Sequence, residues 1–192
     1  MRLTMLILGC SILTAVGSAD PPKSAYVGQE TREIKSLSAD DIADLRHGRG
    51  WGLAKAAELN GVPGPLHVLE LKEALALTPE QARRVESEFD AMRAEATRLG
   101  VRLIEQERAL DRSFAEGTAT EESLKRMLDE IAATLGELRY VHLAAHLKTR
   151  PILTPQQAQE YVRLRGYTGG DPCAAVPDGH DPEMWKRHHG CE

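Results

Sequence analysis

His142 and His146 stand four positions apart in a stretch that reads as helix, so both imidazoles project from one side, the spacing that lets two of them share a metal ion. His142 also falls on an apolar stripe, where a neutral imidazole serves equally well as a packed, hydrogen-bonded core residue. A second candidate pair, His67 and Glu70, lies three positions apart on a shorter helix. Glu70 precedes Leu77 by the same seven residues that separate His146 from Leu153. If the two segments face each other, three imidazoles and one carboxylate meet, a set suited by ligand type to Zn²⁺, Ni²⁺, Co²⁺ or Cu²⁺. The alternative is that all four are polar residues satisfied by their neighbours. No cofactor is required by either reading.

The C-terminal tail offers His180, His188 and His189 beside Met184, Asp181 and Glu183, a composition of weak metal-scavenging tracts. Cys173 and Cys191 share that tail, and in an oxidising compartment they are expected to pair as a disulfide, which would remove the soft ligands.

Catalysis finds no foothold. The run His142-Leu143-Ala144-Ala145-His146 lacks the glutamate that a zinc protease places after its first histidine. Gly48-Arg49-Gly50-Trp51-Gly52 has neither a preceding strand nor a P-loop lysine, and reads as a hinge between helices. No serine or carboxylate spacing builds a triad or an acid and base pair. With 24 Lys plus Arg against 29 Asp plus Glu, the chain as a whole has no basic footprint for nucleic acid.

The elements that must position these residues are all helical, because no β-branched run alternates with polar residues over a strand length. Ser38 with Asp40 and Asp41 caps a short helix to about His47; a second follows Trp51 and stops at Asn60-Gly61; a third begins near Pro65. In Leu77-Thr78-Pro79-Glu80-Gln81, Thr78 can cap, Pro79 fits the first turn and Gln81 can reach back. The helix so opened runs to about Glu116, with Val85, Phe89, Met92, Ala96, Leu99, Leu103, Leu110 and Phe114 on one side. After Gly117-Thr118-Ala119-Thr120, a second long helix carries Leu124, Leu128, Ile131, Leu135, Leu138, His142 and Ala145. So short a turn predicts an antiparallel helical hairpin. Pro151 ends it, and Leu153-Thr154-Pro155-Gln156-Gln157 opens a last helix to about Arg165.

The ends read differently. Residues 1–19 hold one basic residue, a short apolar stretch and the small residues Gly17-Ser18-Ala19, the pattern of a signal peptide, with the mature start at Asp20 and the periplasm as destination. The rival is a lipid anchor at Cys10. Residues 20–37 and 167–192 are polar and irregular and read as flexible segments around a helical domain over 38–166; no further run is apolar and long enough to span a membrane.

The pentapeptide of Leu77, Thr78 and Gln81 recurs as Leu153, Thr154 and Gln157. Two copies, each after a short helical approach and each opening a helix in an exported chain, resemble the LTxxQ family of periplasmic stress proteins, the Spy/CpxP family, with its heavy-metal sensor and resistance relatives of the CnrX and ZraP kind. The resemblance covers roughly Ser38 to Tyr167. It implies an all-α fold of a long hairpin flanked by shorter helices, dimerised into a curved cradle. It also implies an ATP-independent chaperone of unfolded envelope proteins, an adaptor of a membrane sensor kinase, or a metal sensor. A client surface of this kind mixes apolar and basic residues, and the arginines from Arg83 to Arg112 supply the basic part in a chain that is acidic overall.

Overall fold

The computed structural model describes residues 23–167, 173, 176 and 182–191. Its helices are α1 (Ala39–Arg46), α2 (Lys55–Glu58), α3 (Pro65–Glu70), α4 (Pro79–Ala115), α5 (Glu121–Thr149), α6 (Pro155–Leu164) and α7 (Pro182–His189), and no strand occurs among the described residues. Four of them open on capping boxes: Ser38 with Asp41, Thr78 with Gln81, Thr120 with Ser123, and Thr154 with Gln157. In each, the cap hydroxyl accepts from the third backbone N–H while that residue's side chain accepts from the cap N–H, so two otherwise orphaned donors are satisfied.

The 37-residue α4 and 29-residue α5 pack on each other, and Lys148 near the end of α5 reaches Glu88 near the start of α4 at 3.7 Å. The apolar side chains divide into two clusters. One surrounds Leu45, Leu99, Leu103 and Leu138; the other gathers Val68, Val85, Leu153 and Tyr161 near the starts of α4 and α6. α1 lies so close on α4 that a Cβ on Gly100 would stand 2.2 Å from the Leu45 carbonyl oxygen. Only a residue without a side chain permits this backbone approach.

Three parts of the sequence reading need correction. Phe114, Leu128 and Leu135 are exposed, at 59, 44 and 36 %. The buried face of α5 instead runs Ile131, Thr134, Leu138, His142, Ala145 and Thr149, because a straight helix drifts away from a strict seven-residue repeat. The stretch before Ser38 is anchored: Ile34 and Leu37 are in the core, the Lys35 N–H donates to Asp111 at 3.2 Å, and Arg108 donates to Glu33 at 2.7 Å. The tail carries α7, opened by Pro182 with Glu183 in its first turn, a helix that the Gly, Pro and His content had masked. Cys173 and Cys191 are joined by a disulfide.

Candidate functional site

The two pentapeptides meet. The Gln81 amide nitrogen donates to the Gln157 side-chain oxygen at 2.8 Å and to the Ile152 carbonyl at 2.8 Å; Gln157 returns the first bond at 3.1 Å and donates to the Leu75 carbonyl at 3.2 Å. Each glutamine oxygen also accepts from its own cap, Thr78 N–H at 3.0 Å and Thr154 N–H at 2.9 Å. The glutamines therefore do two jobs, closing their own helix starts and tying α4 to α6. Leu77 is half-buried and Leu153 buried beside this junction.

Beside the junction, Glu58 at the end of α2 sits in a half-buried polar cluster. The hydroxyls of Tyr161 (2.8 Å) and Tyr167 (2.9 Å) and the Arg165 guanidinium (2.9 Å) all donate to it. Burial alone would raise its carboxyl, but these donors together hold it below the ordinary carboxylate range, and burial with the same carboxylate pushes Tyr161 up. The sequence reading missed Glu58, since its partners lie more than a hundred residues away and no local pattern announces them.

A cavity of about 560 Å³ opens between the loop after α1, the short helices α2 and α3, and the sides of α4 and α5. His47, His67, His142 and His146 all line it, with Trp51, Phe89 and Met92 as its apolar part. The glycine-rich segment read as a hinge forms one wall. Gly48 there has φ +62 and lies against α4, where a Cβ would meet the Arg93 carbonyl oxygen at 2.7 Å. Trp51 itself adopts φ +42, held by its indole N–H donating to Asp41 at 2.7 Å.

The predicted metal set is placed as follows. His67 Nδ1 lies 2.8 Å from the Glu70 carboxylate, one turn along α3, so those two engage each other. His146 Nδ1 pairs with the Val62 carbonyl at 2.7 Å, and its ring is seated on Gly64, where a Cβ would stand 2.6 Å away. Its nearest carboxylate is that of Glu58, at 4.0 Å, rather than that of Glu70. His142 is 3 % exposed; burial first, and then the neighbouring His146, lower its pKa and keep it neutral. Its Nε2 has no hydrogen-bond partner among the described residues. Among those residues no three His, Cys, Asp or Glu side chains are arranged to hold one metal. His180 lies outside the described residues, as do the side chains of His188 and His189.

Comparison with protein-family models, with curated proteins and with solved structures finds no match to this chain.

Proposed function

We propose that this chain is a non-enzymatic periplasmic stress protein of the LTxxQ type, a helical hairpin that dimerises and holds unfolded envelope proteins or docks on a membrane sensor. The observation that carries the reading is the reciprocal Gln81–Gln157 pair. It gives the repeated pentapeptide a physical reason to occur twice, since each copy supplies the other's partner. Further support comes from the long helices, which leave Val101, Phe114, Leu128, Tyr140 and Leu147 exposed among charged residues, the surface a promiscuous binder needs. None of the described helices is long and apolar enough to cross a membrane.

The alternative reading, metal sensing, would draw on His142 and His146; among the described residues no three His, Cys, Asp or Glu side chains come together to hold one ion. The test is suppression of light scattering when a reduced, denatured client is mixed with the purified chain. Stoichiometric suppression that weakens in a Tyr140→Ser, Leu147→Ser variant with an unchanged melt supports the chaperone role. Suppression absent at tenfold molar excess removes it and leaves the adaptor.

A further inference from the structure

We propose that the cavity between α2, α3, α4 and α5 is a binding site for a small amphipathic carboxylate, an apolar body carrying one anionic head. Its volume of about 560 Å³ is in the range of small-molecule pockets, which typically run from roughly 300 to 1,000 Å³. Trp51, Phe89 and Met92 give it an apolar surface that Leu66 extends. Such a surface inside a polar rim suits a hydrocarbon or aromatic body.

The polar groups define the head. His142 is buried, and its Nε2 lacks any partner among the described residues, whereas buried polar atoms are nearly always satisfied. Leaving such an atom unpaired is unfavourable, and a ligand oxygen accepting from the Nε2–H tautomer removes the penalty. Arg93 and Lys55 line the same cavity, and their side chains make no ion pair or hydrogen bond with any described residue. Arg49, by contrast, is paired with Asp44, and the Glu58 carboxylate is taken up by Tyr161, Tyr167 and Arg165. The uncompensated charge facing the cavity is therefore positive. A carboxylate answers both observations at once, taking a hydrogen bond from His142 and the charge of Arg93. A metal cation could take up the His142 nitrogen but not the charge, since it would meet Arg93 and Lys55.

The site also holds its own reporter. Trp51 is on the wall, and Trp185 is the only other tryptophan in the chain. In the full chain carrying Trp185→Phe, octanoate is expected to shift Trp51 emission saturably and to titrate calorimetrically at one per chain. Octanamide, equal in size but uncharged, should bind about tenfold more weakly or worse. Arg93→Gln should weaken octanoate by about tenfold as well. His142→Leu should abolish binding while leaving the melting temperature of the free protein equal or higher, an outcome that a purely structural histidine would not give. His142→Gln, which keeps a donor, should restore part of the affinity. No saturable binding of octanoate, equal binding of octanamide, or binding indifferent to both Arg93→Gln and His142→Leu would each overturn the proposal.

Discussion

The junction of Gln81 with Gln157 and the cavity under His142 are neighbours in the fold, and they treat polar groups in opposite ways. At the junction both side-chain amides give and receive, and two caps and two backbone carbonyls are satisfied in the same network. In the cavity a more deeply buried imidazole nitrogen is left without a partner among the described residues. A network that satisfies itself specifies structure, while a buried donor left unpaired beside apolar rings is a poor way to hold a fold together and a reason to look for a ligand. The difference locates architecture in one place and recognition in the other.

Both regions hang from the α4–α5 pair, so the most drastic way to erase the comparison is to break that pair. Leu103 is 2 % exposed, and Leu103→Asp should cost more than about 4 kcal/mol and abolish the cooperative thermal transition. Leu135, on the same helix pair but 36 % exposed, should tolerate Asp within about 1 kcal/mol. Equal melts for the two variants would refute the assigned face of α5.

The next effect separates the junction from the cavity. Gln157→Leu leaves the Gln81 amide and the Thr154 N–H short of partners and should destabilise by about 2 kcal/mol in denaturant titration. Adding Gln81→Leu should cost less than the sum of the two single changes, since the orphaned partner goes too; additivity would mean that the amide pair contributes nothing of its own.

The smallest effect belongs to the cavity and has a sign. The His142 pKa is lowered in the folded protein from 6.5, so as pH falls through 6.5 the unfolded chain takes the proton first and stability declines. The decline ends once pH passes below the depressed folded value. Its slope approaches about 1.4 kcal/mol per pH unit within that window. Melts recorded between pH 8 and 5 should show this component in the native protein and lose it in His142→Leu. Identical pH profiles would place the imidazole in contact with water after all.

Much of the architecture is written in local signals. Ser38, Thr78 and Thr154 cap the helices they were expected to cap, and Gly117 to Thr120 makes the turn between the long ones. What no local signal carries is which surfaces meet. Phe114, Leu128 and Leu135 fit a seven-residue stripe by type, yet the helix turns them outward and buries Thr134 and Thr149, polar residues that a hydrophobicity pattern passes over. The site was half visible for the same reason. His142, His146 and His67 do line one cavity, but the carboxylate near His146 belongs to Glu58, fixed by Tyr161 and Arg165 from the far end of the chain. Trp51 and Gly48 read as hinge residues because a hinge and a cavity wall ask for the same small and irregular sequence.

The Gln81–Gln157 pair also has a consequence in time. Its members are 76 residues apart, whereas the two long helices meet across a turn of a few residues and can associate early. The amide tie needs α6 to return across that separation, and it is expected to form on the native side of the folding barrier, which φ-values at Gln81 and Gln157 near zero would bear out. Interactions made that late leave the folding rate alone and act on escape from the native state. The repeated pentapeptide would then work as a latch, setting how long the folded chain persists rather than how quickly it forms.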